Sequence, residues 1–545
     1  MLASKLILKC LERESVNLIF GYPGGALLPL YEALRESDIQ HILVRNEQAA
    51  PHYASGYARE SGKVGVCLAT SGPGATNLIT GIATAYLDSI PLVVLTGQVN
   101  VDLIGTDAFQ EADIYGATVP FTKHSYLVKD AKDIPRIIKE AFHIARTGRP
   151  GPVLIDLPRD VQLTTIKNVK YCEQVNIRGY KPTYEGHKGQ IKRALRKIKT
   201  AQRPIIYVGG GAIISKAEET LTNFAHQNNI PVMTTLMGIG AFAEDDPLYC
   251  GIIGSHGYAY SEKILDQADL CICIGARMSD RATANGLAEL NKMPLIHIDI
   301  DPAEIGKNVD QTNIPIVGDA KTVLEEFMGK EVAGDTTKWL KTIEKIKIDC
   351  PLCFDEQMEN GKVNPKYLFK QLSELTNNQA IIVADVGLNQ IWAALYYQIK
   401  GNRHYFTSGG LGTMGYSIPA AAGVAFAAED QEQQIFAVCG DGSFQMAIGE
   451  LAIIKNHQLN VNILLLNNQK LGMVRQLQHD IYGNRHYCGT DIDFNPNFEK
   501  IAQAYDIQYY KIAQNETMQT ILEEAILYAG PTLIECSVDE DFMKI

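Results

Sequence analysis

Residues 434–442 read Gln-Ile-Phe-Ala-Val-Cys-Gly-Asp-Gly, and a second apolar run, Val461-Asn-Ile-Leu-Leu-Leu466, leads into Asn467-Asn468, with 24 residues between Gly442 and Asn467. Apolar runs of this length bounded by glycine or asparagine are typical of strands. The residues between them, 443–456, have a helical pattern, which predicts a βαβ unit. The glycines allow a tight turn at 440–442, so that backbone N–H groups can face an anion.

Asp441 and Asn468 follow these two strands directly. We therefore expect both side chains at the same edge of a parallel sheet, where they offer two oxygen ligands. Mg²⁺ prefers a few protein oxygens combined with phosphate oxygens and water. The segment predicts a site for a magnesium-bound diphosphate. A Gly-Asp-Gly tripeptide without this context would more often be a plain turn.

Similar units occur earlier in the chain. The first comprises a strand at 64–69, a glycine-rich turn at 71–74, a helix at 75–86 and a strand at 91–96. A middle region has strand-like runs at 204–208, 270–274 and 295–300, the first of which runs into Gly209, Gly210 and Gly211. The predicted fold class is α/β, with three domains that each contain a mostly parallel sheet covered by helices. We expect domains at 1–165, 185–345 and 360–545, with linkers around 163–190 and 329–362.

Composition limits the possible functions. The 545 residues carry a formal net charge of −12, which disfavours binding to nucleic acid or an anionic membrane. The N-terminus has no uninterrupted apolar core of a signal peptide, and no apolar run reaches the ~18 residues of a membrane span. We therefore expect a cytoplasmic protein whose 11 cysteines are buried thiols. The pair Cys350 and Cys353 has no second pair at zinc-site spacing.

Six further short segments outside the Gly440–Asn468 segment have distinctive sequences. They are Gly21–Gly25, Arg45–Gln48, Thr70–Asn77, Asp107–Glu111, Ser408–Gly415 and Leu471–Val474. With these blocks the chain resembles the thiamine-diphosphate enzymes and, over nearly its full length, the acetohydroxyacid synthase (acetolactate synthase) large chain. The resemblance implies thiamine diphosphate and Mg²⁺ as cofactors. It also implies a reaction in which one 2-keto acid, such as pyruvate, loses carbon dioxide and its acyl unit is joined to a second 2-keto acid.

Four residues receive catalytic roles from this resemblance. Glu47 would hydrogen-bond to N1′ of the cofactor's aminopyrimidine, and Gln110 would lie in the same site. Arg281 would hold the carboxylate of the acceptor, for which a planar guanidinium is suited. Met414 would force the cofactor into a bent form. Without the family blocks, Glu47 and Arg281 would more often be surface charges and Met414 a core residue.

The same resemblance assigns the binding residues of thiamine diphosphate and the metal. For the cofactor they are Gly24, Val386, Gly387, Asn389, Gly412, Gly440, Gly442, Ser443 and Met473, and for the metal Asp441, Asn468 and the carbonyl of Lys470. The family has Gln-His where this chain has Leu388-Asn389. We expect Asn389 still to donate a hydrogen bond to the diphosphate, and Leu388 to contact it only through its backbone.

A flavin is implied for the middle domain. Three consecutive glycines would by themselves more often mark a turn. The chain resembles the FAD-binding form of the family at Arg149, Gly209, Gly210, Gly211, Thr235, Leu236, His256, Gly275, Arg277, Asp299, Ile300, Asp319 and Ala320. We expect a structural FAD, since joining two 2-keto acids has no redox step.

Several positions depart from the family. Leu477 stands where the family has Trp, which predicts a weak preference for 2-ketobutyrate as acceptor because an aromatic contact is lost. Arg159 replaces a Lys and Ser255 a Met, and Phe109 and Arg159 are, with Leu477, the expected specificity residues. The sequence ends at Ile545, ahead of the family's longer proline-containing tail, so we expect weaker closure of the active site.

The leading interpretation is an acetolactate synthase of branched-chain amino-acid synthesis that acts on small-molecule 2-keto acids. The alternatives are a carboligase of specialised metabolism with another acceptor, a flavin-linked pyruvate oxidase, and a regulatory relative without activity. Intact Glu47, Asp441 and Asn468 argue against the last. The family also implies a homodimer or homotetramer, in which Glu47 of one chain faces cofactor held by another, and often a small regulatory subunit.

Overall fold

The computed structural model describes residues 1–310, 312–330, 334–350, 362–401, 404–428, 433–483 and 486–539. These residues form three sheets of six strands, and neighbouring strands run parallel in each. The predicted α/β fold class with three sheets is confirmed. Residues 540–545, which include the chain end discussed above, lie outside the described residues.

The N-terminal sheet has the order β2-β1-β3-β4-β6-β5. Its strands are β1 Leu18–Tyr22, β2 Gln40–Leu43, β3 Gly65–Ala69, β4 Leu92–Gln98, β5 His124–Leu127 and β6 Pro152–Pro158. The accompanying helices are α1 Ala3–Arg13, α2 Leu28–Leu34, α3 Ala50–Ser61, α4 Pro73–Asn77, α5 Ile79–Leu87, α6 Ile114–Thr118, α7 Ile134–Arg146 and α8 Arg159–Leu163. Strands β3, β4 and β6 are buried along their whole length, which explains why their sequences are continuous apolar runs.

The central sheet has the order β12-β11-β10-β7-β8-β9. Its strands are β7 Pro204–Val208, β8 Val232–Thr234, β9 Tyr249–Ile252, β10 Leu270–Ile274, β11 Leu295–Asp299 and β12 Ile314–Val317. Its helices are α9 Lys188–Thr200, α10 Gly210–Ile214, α11 Glu218–Asn228, α12 Ala259–Gln267, α13 Asp280–Thr283, α14 Leu287–Leu290, α15 Ala320–Phe327 and α16 Thr337–Asp349.

The C-terminal sheet repeats the N-terminal arrangement with the order β14-β13-β15-β16-β18-β17. Its strands are β13 Ile381–Ala384, β14 Tyr405–Thr407, β15 Ile435–Gly440, β16 Val461–Asn467, β17 Gln508–Ile512 and β18 Thr532–Ser537. Its helices are α17 Pro365–Leu375, α18 Leu388–Tyr396, α19 Ser417–Ala427, α20 Asp441–Met446, α21 Leu451–Asn456, α22 Gly472–Tyr482, α23 Phe498–Ala504 and α24 Met518–Leu527.

Three local predictions were wrong. Helix α20 begins at Asp441, immediately after β15, so the predicted turn at 440–442 is the first turn of a helix. The predicted helices at 75–86 and 443–456 are each divided into shorter helices. The expected linker at 329–362 contains α16, because its Trp339 is buried in the central core and donates its indole N–H to the carbonyl of Pro204 at 3.0 Å.

The cysteine prediction holds for most but not all positions. The ten described cysteines are unpaired, and seven are buried. Cys172 and Cys350 are half-buried and Cys488 is exposed. Cys353 lies outside the described residues. Separately, none of the described helices combines the length and apolar character required to cross a bilayer.

Helices α3 and α19 join the N-terminal and C-terminal domains at close range. A Cβ on Gly56 would overlap the carbonyl oxygen of Ala420, and one on Gly423 would overlap that of Tyr53. Glycines at both positions therefore allow the two backbones to approach more closely than side chains would permit. Nearby, the buried Arg59 guanidinium contacts the Asp88 carboxylate at 3.1 Å. This packing fixes how the two site-bearing sheets face each other within one chain.

Candidate active site

The carboxyl edge of the C-terminal sheet brings Asp441 and Asn468 together. Gly440, the last residue of β15, is in register with Leu466 of the neighbouring strand β16. The chain segments that carry Asp441 and Asn468 therefore leave the sheet side by side, as the strand pattern predicts. Asn468 lies 3.1 Å from the position that a Cβ on Gly472 would occupy, which places it at the start of α22.

Asp441 has an arrangement that fits a cation. Its Oδ2 accepts a hydrogen bond of 2.6 Å from Asn495, whose amide also donates to Asn467 at 3.2 Å. Its Oδ1 is buried and has no hydrogen-bond partner among the residues that the structure describes. Burial raises the pKa of the Asp441 carboxyl, against the opposing effect of Asn495. A buried carboxylate oxygen without a donor is costly, and a divalent cation would satisfy it.

The described residues contain no group of three or more His, Cys, Asp or Glu side chains placed to hold a metal. A metal at Asp441 would therefore depend on amide, carbonyl and ligand oxygens, which suits Mg²⁺ rather than Zn²⁺. Asn468 supplies an amide oxygen, and it already accepts a hydrogen bond of 3.2 Å from the N–H of Lys470.

The loop after Asn468 has a fixed backbone. Gln469 has a positive φ of 55°, a conformation that costs energy for a residue with a side chain. Leu471 donates to the carbonyl of Thr490 at 2.8 Å, and Ile492 donates to that of Gln469 at 2.9 Å. The Lys470 ammonium donates to Asp491 at 2.7 Å. The segment around 490–492 thus lies across the loop and holds the carbonyl-bearing residue Lys470 in place.

Met414 lies beside Gly442 in the first turn of α20. Its Cε is 3.6 Å from the position of a Cβ on Gly442. The residue after it, Gly415, donates to the carboxylate of Asp385 at 3.0 Å, and Ser417 donates to the same carboxylate at 2.8 Å. Burial raises the pKa of Asp385 to about 6. Asp385 therefore fixes the backbone on the C-terminal side of Met414.

The Asn389 side chain makes hydrogen bonds within the chain, and its predicted hydrogen bond to the diphosphate stays a prediction. Its amide N–H is already donated to the carbonyl of Asp385 at 2.7 Å, because α18 begins directly after that strand end. Its Oδ1 lies 2.5 Å from the position of a Cβ on Gly387, whose φ of 144° favours glycine. Leu388 packs its side chain against Gly472.

The remaining residues of the predicted diphosphate set lie at the same edge. Ser443 is buried, and its hydroxyl accepts from the N–H of Gly440 at 3.1 Å, so it stabilises the first turn of α20. Val386, Gly412 and Met473 line a large cleft that is described below.

A second group of predicted residues forms in the N-terminal domain. Asn77 donates to the Glu47 carboxylate at 3.0 Å. The other Glu47 oxygen lies 3.5 Å from the position of a Cβ on Gly74. A Cβ on Gly24 would overlap the side chain of Thr70, which also lies against Gly74, so Gly24 belongs to this group.

Gln110 joins the N-terminal group through Gly72. A Cβ on Gly72 would lie 2.9 Å from the Cβ of Gln110. Gln110 itself has a positive φ of 60°. Its role in the site stays a prediction.

The polar residues of the two groups that the resemblance places around the cofactor are Glu47, Asp441 and Asn468. Among the residues that the structure describes, no hydrogen bond or ion pair joins Glu47 to Asp441 or Asn468. The expected specificity residues are divided in the same way. Phe109 is 88% exposed and Arg159 is exposed, both in the N-terminal domain, whereas Leu477 is half-buried on α22.

A cavity of about 530 Å³ lies where the three domains meet. All thirteen residues that the resemblance assigns to FAD line it: Arg149, Gly209, Gly210, Gly211, Thr235, Leu236, His256, Gly275, Arg277, Asp299, Ile300, Asp319 and Ala320. Residues separated by as many as 171 positions in the chain thus form one continuous wall. Its volume falls in the usual range of roughly 300–1,000 Å³ for cofactor sites.

Charged groups in this cavity are mostly held in place. Arg149 contacts Glu304 at 2.7 Å and Asp301 at 3.4 Å. Burial, together with the nearby Arg149, lowers the pKa of Arg277. Arg281 differs, because its side chain is 63% exposed at the mouth of the cavity and approaches Asp280 only at 4.0 Å. It is therefore accessible to an anionic ligand.

Three residues with clear roles in the site escaped the sequence analysis. Asp385 follows β13 as Asp441 follows β15, and that strand-end position could have indicated it. Asn495 lies 54 residues after Asp441 in a segment without a pattern. Glu450 accepts a hydrogen bond from the backbone N–H of Asn46, which lies 404 positions earlier in the sequence. The last two pairings have no signal in a single sequence.

Comparison with known proteins gives three matches to family models. The N-terminal TPP binding domain of thiamine pyrophosphate enzymes matches residues 1–117, the central domain 191–327 and the C-terminal TPP binding domain 385–536. The Haemophilus influenzae acetolactate synthase large subunit is 45% identical, covering 98% of this chain and 94% of that protein.

Two more relatives agree with this result. The Methanocaldococcus jannaschii probable acetolactate synthase large subunit is 46% identical, covering 99% of this chain and 92% of its own. The Escherichia coli acetolactate synthase isozyme 3 large subunit is 44% identical, covering 96% and 92%.

Proposed function

The chain belongs to the acetolactate synthase large subunits of the thiamine pyrophosphate enzyme family, and we infer that it is itself a thiamine-diphosphate-dependent acetolactate synthase. It decarboxylates pyruvate and joins the acyl unit to a second 2-keto acid, giving 2-acetolactate. The main structural support for this reaction is the buried Oδ1 of Asp441, directly after β15 and beside Gly442 and Met414, which has no hydrogen-bond partner in the described part of the chain.

We propose Mg²⁺ at Asp441, Asn468 and the carbonyl of Lys470, with the diphosphate on the first turn of α20. When bound, thiamine diphosphate supplies the carbon centre at which a 2-keto acid loses carbon dioxide. Gly440 and Gly442 leave space for phosphate oxygens beside backbone N–H groups. Glu47 holds a proton at the pyrimidine, Gln110 orients the substrate, and Met414 fixes the ring geometry. Arg281 binds the carboxylate of the acceptor.

The shared cavity supports a bound FAD in a structural role. Its wall contains every residue assigned to the flavin, and it lies against Gly412 and Met473 of the thiamine diphosphate set. FAD would therefore fill space beside the active site and hold the domains together. Oxygen consumption with pyruvate would favour the pyruvate oxidase alternative instead.

We propose that two copies complete each active site. Glu47 and Asp441 belong to separate groups in one chain, and apolar side chains are exposed beside both groups. Phe109 is 88% exposed next to Gln110, and Phe494 is 81% exposed next to Asn495. Exposed apolar surface of this kind is typical of interaction sites. A homodimer, or a dimer of dimers, would cover these side chains and bring Glu47 of one chain to the metal loop of its partner.

The relatives are named large subunits, which supports a small regulatory subunit as a partner of this chain. Ten described cysteines without disulfides support a cytoplasmic location, because disulfides are rare in reducing compartments. We also propose functional domains at 1–165, 185–345 and 360–545.

The test uses purified protein with pyruvate, Mg²⁺ and thiamine diphosphate, with and without FAD. We expect release of carbon dioxide and a product with the mass of acetolactate, and loss of most of the rate in Glu47→Gln. Wild-type protein that binds the cofactors without forming acetolactate would contradict the proposed function.

A further inference from the structure

Glu450 is a buried carboxylate that holds the backbone immediately before Glu47. Its Oε1 accepts hydrogen bonds of 3.1 Å from the N–H groups of both Arg45 and Asn46. Its Oε2 accepts the hydroxyl of Tyr53 at 3.0 Å. The residue is 2% exposed, so water has little access to compete for these bonds. Hydrogen bonds to a buried carboxylate are among the stronger ones in proteins.

Hydrogen bonds hold the residues on both sides of Glu47, Asn46 and Gln48. Glu450 holds the Asn46 N–H, and the Asn46 side chain in turn accepts the N–H of Gln48 at 2.9 Å. The carbonyl of Asn46 also accepts the N–H of Ala49 at 3.0 Å. Glu47 is the first residue of the short 3₁₀ helix Glu47–Ala49 and is therefore held between two anchored neighbours.

Glu450 also belongs to the metal-binding half of the chain. It ends the 3₁₀ turn Ile448–Glu450, which follows α20, and α20 begins at Asp441. Nine positions thus separate the proposed metal ligand from the group that holds the Glu47 backbone. Only one residue in between, Ala447, lies outside α20 and the 3₁₀ turn.

We propose that Glu450 is a positioning residue for Glu47, which sets the distance of the Glu47 carboxyl from the pyrimidine of bound thiamine diphosphate. This inference rests on the proposed function. Proton transfer requires a heavy-atom distance of about 2.6–3.2 Å. A displacement of ~1 Å in such a group costs ~100-fold in rate. Loss of the Glu450 contacts should therefore slow proton transfer more than it weakens cofactor binding, because the metal ligands are unchanged.

The test compares wild type, Glu450→Gln and Glu450→Asp, each loaded with thiamine diphosphate and Mg²⁺. Aspartate keeps the buried charge but withdraws it by one methylene from the two N–H groups. Glu244→Gln is the matched control, since Glu244 is a buried carboxyl that contacts a different backbone N–H, that of Ile399 at 3.2 Å. Exchange of the thiazolium C2 hydrogen for deuterium is measured without substrate, together with the Kd of thiamine diphosphate and the kcat and KM for pyruvate.

We expect the exchange rate and kcat to fall by about tenfold or more in both Glu450 variants. The Kd of thiamine diphosphate and the KM for pyruvate should change less than about threefold, and Glu244→Gln should exchange like wild type. If Glu450→Gln does not fold, Glu450→Asp decides the question. Wild-type exchange rates in a folded Glu450 variant, or a Kd that changes in parallel with the rate, would overturn the positioning role. A wild-type protein that neither binds thiamine diphosphate nor exchanges the hydrogen would instead overturn the proposed function.

Discussion

The Cα of Gly56 faces the carbonyl oxygen of Ala420 so closely that no side chain fits between them. This contact between α3 and α19 joins the two sheets that carry the proposed active-site residues. On α19, Gly423 lies similarly close to the carbonyl oxygen of Tyr53 on α3. Close packing of two backbones cannot relax around a new methyl group in the way that a flexible side chain can.

Gly56→Ala should therefore destabilise the protein by ~1–3 kcal/mol or more, the usual cost of overpacking. Thermal and urea unfolding measure this effect. Gly25→Ala is the control, because a Cβ there would meet no other described atom within 4 Å. Equal stability of the two variants would contradict the backbone contact.

A shared active site predicts complementation between two inactive variants. Glu47→Gln and Asp441→Ala should each abolish most acetolactate formation as homodimers. Co-expressed chains should regain activity, because a mixed dimer contains one site in which both residues are intact. Absence of recovery in mixed dimers that are verified by native mass spectrometry would place Glu47 and Asp441 of the same chain in one site.

Asn495 should influence metal affinity without contacting the metal. Its amide holds Oδ2 of Asp441, and loss of such outer contacts typically weakens metal binding ~10–100-fold. We expect Asn495→Ala to raise the Mg²⁺ concentration required for thiamine diphosphate binding, as measured by calorimetry. Asp441→Ala should weaken binding further, and chelation of Mg²⁺ should remove it. Unchanged Mg²⁺ dependence in Asn495→Ala would be inconsistent with this role.

Glu244 should make stability depend on pH. Burial raises the pKa of its carboxyl to about 8, so between roughly pH 4.5 and 8 the folded state keeps a proton that the unfolded state releases. The contribution of the Glu244 carboxyl to the free energy of unfolding is therefore at its full value below about pH 4.5, and it decreases as the pH rises towards 8. We expect Glu244→Gln to raise Tm more at pH 8 than at pH 5. Glu516→Gln, at an exposed position, is the control, and an equal Tm change at both pH values would refute this explanation.

Leu477 should limit the choice of acceptor. In competition between pyruvate and 2-ketobutyrate, wild-type protein should give a product ratio close to the substrate ratio. Leu477→Trp should shift the ratio towards the product with the ethyl group, because an aromatic side chain adds contact area. The measurement is mass spectrometry of both products, and strong dominance of the ethyl product in wild type would show that Leu477 does not have this effect.

The sequence determined the fold class and most of the residues of the site. Apolar runs that end in glycine, asparagine or aspartate predicted strands β15 and β16 and the position of Asp441 and Asn468 at one sheet edge. This inference was possible because parallel strands bring their carboxyl ends together whatever the rest of the chain does. Periodicity did not report the division of the segment 443–456 into shorter helices, nor the helix in the expected linker, whose Trp339 packs in the central core.

Only the tertiary structure decided which residues support the site. Asn495 and Glu450 reach Asp441 and the backbone before Glu47 across 54 and 404 positions, and hydrogen bonds over such separations depend on how domains pack. The structure also showed that the amide of Asn389 donates to the carbonyl of Asp385, a partner that the sequence pattern does not indicate. The residue type limits what a side chain can bind. Its actual partner depends on the tertiary packing, because buried polar groups must find hydrogen-bond partners among the groups that packing brings close.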